Sequence, residues 1–215
     1  MANDGVRVSA IALDMIGVLV QEERLISVGF PAYFGDRLRL PIEQIKERYD
    51  HGYSVGALSQ DEFWEGILDE DWRAPEVEFL SSRAFAPDAA GVLSELQTAY
   101  RLAVISDMPR EWAAKILELH GVLDRFQCGV YSNDGSGSKK DGRLFRALLD
   151  TLELPGQEVL LVDDRQLNLD SAKEIGIRGA WLPLPGSSDP DPTNYDQIES
   201  LTDLPGLLTT YCPPS

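Results

Sequence analysis

The 215-residue chain holds two cysteines, Cys128 and Cys212, and two histidines, His51 and His120. Two cysteines make no disulfide framework, and a reducing cytosol is the natural setting. The histidines lack ligand-spaced partners, and His120 followed by Gly121 reads as a helix end, so neither is assigned to a metal. Basic residues are also scarce, 19 Lys and Arg against 36 Asp and Glu, for a net charge of −17. Such a surface repels phosphate backbones and acidic membranes, which excludes generic nucleic-acid binding. A small phosphorylated ligand stays compatible if its site carries local cations. Long apolar runs are absent too. The stretch Val6 to Val20 is interrupted by Arg7 and Asp14, too short and charged to cross a bilayer, and not framed as a signal peptide. These absences predict a soluble cytoplasmic protein with no nucleic-acid or membrane partner, and they leave its state, monomer or homodimer, open.

What is present is a chain with 43% hydrophobic residues, enough for a buried core. Its length suits one domain, or a core with a sizeable insert. The runs Val6–Leu13, Leu102–Ile105, Gln127–Tyr131 and Val159–Val162 read as buried strands, with Gly179–Leu182 as a short edge strand. Helical patterns lie between them, at Asp88–Thr98 with Asp88 placed to cap, at Arg110–Leu119 with Trp112, Ile116 and Leu119 on one face, and at Leu144–Leu152 and Leu167–Ile175. Strand–helix alternation predicts an α/β fold with right-handed βαβ units and a parallel sheet.

Residues 18–86 break the alternation. Pro41–Tyr49 and Gln60–Leu68 read as amphipathic helices in an aromatic-rich, small α-helical insert after the first strand, leaving 1–17 and 87–215 as the core. The Pro183–Pro192 tail reads as a loop and Asn194–Leu208 as a last helix.

Ligands of open parallel sheets bind beyond the carboxyl ends of the strands. Asp14, Ser106 and the Asp163–Asp164 pair all fall at such ends, and Lys139 sits in the Gly/Ser loop after the third strand. Each has an ordinary reading: a turn or cap for Asp14, an N-cap for Asp163–Asp164, a solvated pair for Lys139 and Lys140. Their convergence at four strand ends favours chemistry. Crowded carboxylates repel one another, and a hard cation such as Mg²⁺ relieves this. Asp14 is then a candidate nucleophile, with Ser106 and Lys139 as anion ligands.

The motifs resemble those of the haloacid dehalogenase-like hydrolases. Leu13-Asp14-Met15-Ile16-Gly17-Val18-Leu19 looks like the first motif, Val104-Ile105-Ser106-Asp107-Met108-Pro109 the second, Ser138-Lys139-Lys140-Asp141 onward the third, and Leu161-Val162-Asp163-Asp164 the fourth. The stretch from His51-Gly52 to Trp64 resembles the helical cap of the branch that includes the soluble epoxide hydrolase phosphatase domain. The resemblance implies a Rossmann-like core with a cap over 18–86 and an aspartyl phosphate formed on Asp14. It also implies Mg²⁺ held by Asp14, the backbone carbonyl of Ile16, and Asp164 and/or Asp163. Ser106 and Lys139 would bind the phosphoryl oxygens. Asp107 takes a place where Asn is common, and Arg24, Tyr33 and Arg37 are candidate substrate contacts from the cap.

One residue departs from the pattern. Phosphatases of the family carry a second Asp two positions after the nucleophile, to protonate the leaving group and activate water. This chain has Ile16. Three readings follow: a metal-dependent phosphatase favouring good leaving groups or borrowing an acid, dehalogenase- or phosphonatase-like chemistry at carbon, or a weakened protein kept for binding or regulation. The paired acids of the fourth motif argue against a metal-free dehalogenase. Lys46, the only lysine of the insert, stands mid-helix in surroundings that do not match a phosphonatase.

Overall fold

The computed structural model describes residues 7–22, 24–184 and 194–212. Its centre is a parallel sheet of β1 (Ala10–Leu13), β2 (Arg101–Ser106), β3 (Cys128–Tyr131), β4 (Val159–Asp163), β5 (Arg178–Trp181) and β6 (Asp196–Gln197). The spatial order is β3-β2-β1-β4-β5-β6. Every residue of β1 and β4 is buried, as expected for central strands covered on both faces. The chain leaves β1 toward β2 and later returns across it to β4, so the connections diverge between β1 and β4. A crevice therefore opens at their carboxyl ends, the usual ligand position in such sheets.

The insert between β1 and β2 carries α1 (Phe30–Phe34), α2 (Ile42–Arg48), α3 (Gln60–Trp64) and α4 (Arg73–Ser81), plus π-helical turns at Leu25–Gly29 and Tyr49–Tyr53. The core adds α5 (Ala89–Leu96), α6 (Arg110–Leu119), α7 (Arg143–Leu152), α8 (Gln166–Lys173) and α9 (Leu204–Leu208). Alternate strand residues point to opposite faces. Ala10, Ala12, Ala103, Ile105 and Leu161 pack with Leu144, Phe145 and Leu148 of α7 and Leu169 of α8. Ile11, Leu13, Val104 and Val162 belong to the other cluster, with Leu93 of α5 and Trp112 and Ile116 of α6.

That second cluster runs without a break into the insert. Trp112 lies within ring-contact distance of Phe30, Tyr53, Phe63, Trp64 and Phe79 at 5.5–6.3 Å between centroids. In its midst, Oε1 of Glu76 accepts from both indoles, Trp64 Nε1 and Trp112 Nε1, at 2.6 Å each. Oε2 accepts from Gln60 Nε2 at 2.7 Å. Glu76 thus ties two helices of the insert to α6 of the core. Burial raises its pKa, and the three donors only partly offset this.

Several expectations are corrected. The region read as one helix over Asn194–Leu208 instead enters the sheet as β6, turns through a short 3₁₀ segment, Leu201–Asp203, and is helical only at α9. Pro205 and Gly206 confine that helix to a short stretch. Gly179–Leu182 is consequently not an edge, because β6 pairs with β5 outside it. Asp88 does precede α5, but in left-handed backbone at φ 59° and with no side-chain capping bond. Leu119 points to solvent, and Ala113 and Leu117 complete the buried face of α6 instead. The helix read over Gln60–Leu68 stops at Trp64, and that over Pro41–Tyr49 passes into a π-turn. Most of the Pro183–Pro192 tail, with Val6 and the start of the first run, lies outside the described residues.

Candidate active site

Register brings the chemistry together. Leu13 pairs with Val104 on one side and Val162 on the other, so Asp14 and Asp163 stand at one level on adjacent strands, with Ser106 one residue further along β2. The Asp14 N–H still donates to Val162 O at 3.1 Å, which fixes the residue just beyond the strand. The chain then makes a tight turn, with Gly17 N donating to Val20 O and Val20 N to Met15 O, each at 2.7 Å. Gly17 has φ +93°, and a Cβ there would stand 2.2 Å from Asp164 Cγ. Glycine is required twice over, by backbone conformation and by contact with a site carboxylate.

Asp14 Oδ1 accepts from Met15 N at 2.6 Å and from Lys139 Nζ at 2.7 Å. Among the described residues nothing donates to Oδ2, which is left to face an electrophile. Lys139 is fully enclosed, bridging Asp14 and Asp163 Oδ2, the latter at 2.8 Å. Asp163 is saturated further, because Oδ1 accepts from Arg165 N and Asn168 Nδ2, both at 2.9 Å. Asp164 differs. Its Oδ1 is buried without any hydrogen-bond partner, while its carbonyl accepts from Trp181 Nε1 at 2.9 Å. Ser106 Oγ accepts from Met108 N at 3.0 Å, and Asp107 Oδ1 from Lys139 N at 3.1 Å.

The electrostatics follow from burial. Desolvation pushes the Asp14 pKa well up, against the opposing pull of Lys139 and reinforced by Asp163 and Asp164. Asp164 is raised to about 7 by desolvation and then by Asp163. Asp107 is raised by burial as well. For Lys139 burial alone would lower the pKa, but Asp14, Asp163 and Asp107 outweigh it and hold the ammonium charged. One cation therefore faces several crowded acids. Asp14, Asp163 and Asp164 can each offer an oxygen within 4.8 Å of the others. An unpaired buried carboxylate oxygen beside them is what a hard divalent ion would satisfy, so the donor set fits Mg²⁺. Of the adjacent pair, Asp164 is the better-placed ligand, since Asp163 is already committed to Lys139 and Asn168.

These groups floor a cavity of about 470 Å³ between core and insert. The core supplies Asp14, Ser106, Asp107, Lys139 and Asp164 to its lining, and the insert supplies Arg24, Leu25, Lys46, Tyr49 and Asp50. Ile16 lines it too, an apolar side chain at the position expected for an acid. Of the three cap contacts expected, only Arg24 is there. Tyr33 instead donates to Glu78 at 3.2 Å and Arg37 pairs with Glu70 at 2.9 Å, both outside the cavity lining. Asn168, Tyr49, Asp50 and Lys46 were not singled out as site residues. Lys46 and Asp50 form an i,i+4 ion pair, a pattern that reads in sequence as a solvated helix face. In the basic group after the third strand, Lys139 turns inward, while Lys140, Arg143 and Arg146 are exposed.

Comparison with known proteins settles the family. The profile of the haloacid dehalogenase-like hydrolases matches residues 8–176. The chain belongs to this hydrolase family. Enolase-phosphatase E1 of Aedes aegypti is 31% identical over 99 residues, 43% of this chain but 9% of that protein. The chain thus spans a small part of that relative's length. Among solved structures, a HAD phosphatase from Thermococcus onnurineus superposes with a TM-score of 0.70 at 22% identity, covering 95% of this chain and 99% of the other. An L-2-haloacid dehalogenase from Xanthobacter autotrophicus with chloropropionic acid covalently bound gives 0.66 at 17% identity, over 94% and 98%. The Bacillus subtilis protein YfnB bound to magnesium gives 0.66 at 17%, over 94% and 99%. At these identities the likeness is one of fold, and phosphatase and dehalogenase neighbours appear side by side.

Proposed function

We propose that this HAD-like hydrolase is a Mg²⁺-dependent phosphatase acting through Asp14 on a small phosphorylated molecule, with residues 18–86 serving as its cap. The observation that carries this reading is the acidic trio beside Lys139, in which Asp164 Oδ1 has no partner. A displacement at carbon has no use for a third, uncompensated carboxylate.

Asp14 Oδ2 attacks phosphorus while Oδ1 stays anchored by Met15 N and Lys139. The phosphorus–ester oxygen bond breaks and the alcohol leaves. Water then cleaves the aspartyl phosphate, releasing inorganic phosphate and restoring the carboxylate. Asp14, Asp164 and the Ile16 carbonyl would hold Mg²⁺, which supplies charge neutralisation for the phosphoryl group. Lys139 and the Ser106 hydroxyl bind phosphoryl oxygens. Ile16 transfers no proton, so the leaving oxygen departs unassisted or takes its proton from water or from the substrate itself. General acid–base help is worth about 10²–10⁴-fold, and esters with poor leaving groups bear that loss.

The test is turnover of p-nitrophenyl phosphate, whose leaving group needs little protonation. Magnesium-dependent hydrolysis that falls by about 10³-fold or more in Asp14→Asn supports the proposal. No hydrolysis, together with halide release from 2-haloacids, overturns it in favour of chemistry at carbon, the reading that Ile16 by itself favours. Binding of phosphorylated ligands with neither reaction overturns it in favour of a binding role.

A further inference from the structure

In a chain with 36 acids and 19 bases, most bases find an acid partner. Ion pairs hold eleven of the bases, including Arg37, Lys46, Arg83 and Arg110. Others are used by a carbonyl, an amide or a ring, as with Arg48, Arg101 and Lys173. Among the described residues, the side chains of Arg24, Lys140, Arg146 and Arg165 have no hydrogen bond or ion pair; of these, Arg24 and Arg165 line the Asp14 cavity, where Arg165 also acts electrostatically on Asp164.

Their placement is fixed by backbone. The Arg24 carbonyl accepts from Val28 N at 3.0 Å and Gly29 N at 3.1 Å, at the start of the π-turn of the insert. Arg165 is locked at the head of α8, its N–H on Asp163 Oδ1 and its carbonyl accepting from Asn168 N at 3.1 Å. One arginine thus comes from the insert and one from the core, and both are solvent-exposed. Lys46 neutralises Asp50, the insert's acid in the cavity, so that carboxylate does not quench them. The same lining includes the apolar residues Ile16, Leu25, Ile26 and Met108. The cavity thus combines the acidic reaction centre, apolar wall residues and two guanidinium groups without an ion-pair partner.

We propose that the substrate is a phosphate ester whose short hydrocarbon portion ends in a second anionic group, received by Arg24 and Arg165. This rests on the phosphatase reading and narrows its substrate class. A carboxylate and a second phosphate share the required chemistry, since guanidinium forks take either bidentately.

The experiment compares pentyl phosphate, 4-carboxybutyl phosphate and pentane-1,5-diyl bisphosphate with the full-length protein and Mg²⁺. The two doubly anionic esters are expected to exceed pentyl phosphate in kcat/KM by at least about tenfold, the net worth of one charge-assisted hydrogen bond. The better of the two identifies the distal group as carboxylate or phosphate. In Arg24→Gln/Arg165→Gln the preference collapses to within about twofold through KM, and Arg24→Lys recovers part of it. Binding of each ester is measured in parallel by calorimetry on the same Mg²⁺-loaded protein. Turnover of all three esters without preference overturns the anion site and leaves the phosphatase reading intact. A binding preference that the arginine variants lose, without turnover of any ester, overturns the phosphatase reading and keeps the anion site. Equal binding and no turnover overturns both.

Discussion

Lys139 is the residue on which the site's internal charge balance rests. Removing it leaves Asp14 and Asp163 buried face to face without their common cation. Breaking a buried pair from one side costs about 3–5 kcal/mol, so Lys139→Ala should lose about that much stability in urea unfolding as well as turnover. Gly17→Ala probes the neighbouring contact. Its methyl group would displace the Asp164 carboxylate, and the positive φ adds strain. Mg²⁺ should raise the melting temperature of the wild type, as any ligand of the native state does. That shift is expected to vanish in both Gly17→Ala and Asp164→Asn. Ile16→Asp should raise kcat on alkyl phosphates by about 10²-fold or more while changing p-nitrophenyl phosphate turnover far less, because only the poor leaving group needs the proton. At this scale much was legible in sequence. Asp14, Ser106, Lys139, Asp163 and Asp164 announce themselves because strand ends are where a parallel sheet puts its chemistry. Tyr33 and Arg37 were misplaced because position along an insert says nothing about which way a short helix faces.

Among elements, the joint between insert and core hangs on Glu76. Nothing in the sequence marks it, since an acid in a helical segment reads as surface, and only the fold surrounds it with Trp64, Trp112 and Gln60. Glu76→Ala orphans two buried indole N–H groups, at about 1–3 kcal/mol each. Glu76→Gln keeps an oxygen for both indoles. The wild-type pKa is raised in the folded state above its usual 4.5. The folded protein therefore holds that proton more tightly than the unfolded chain. Its contribution to stability is fully present below pH about 4.5 and is lost as pH rises through the higher folded value. The unfolding free energy of wild type minus Glu76→Gln should accordingly increase as pH falls from 8 to about 4.5. A flat difference would show that burial does not govern this carboxyl. The two-residue β6 was missed and the end of α3 overrun for another reason, because periodicity needs more residues than either provides.

For the whole molecule, the net charge of −17 acts against an anionic substrate and for a cation. Screening lengths are about 30 Å at 0.01 M salt and about 10 Å at 0.1 M. Raising ionic strength across that range at saturating Mg²⁺ should increase kcat/KM for the phosphate ester, because it hides the distant acids more than Lys139 at contact. The same change should weaken Mg²⁺ binding in titration calorimetry. Opposite signs for the two ligands are the signature of a field set by the whole surface.

The aromatic cluster around Trp112 has a consequence for exchanging parts between related proteins. The indole belongs to the core, yet its neighbours Phe30, Tyr53, Phe63, Trp64 and Phe79 all come from the insert. A chimaera carrying a foreign segment at 18–86, or a loop-shortened version without it, would inherit a bare tryptophan and a raw apolar face on α6. Such hybrids should express as aggregates unless Trp112 is redesigned together with the graft. The two halves of this protein are one transplantable unit, and new specificity is better sought by recolouring the cavity wall than by trading its roof.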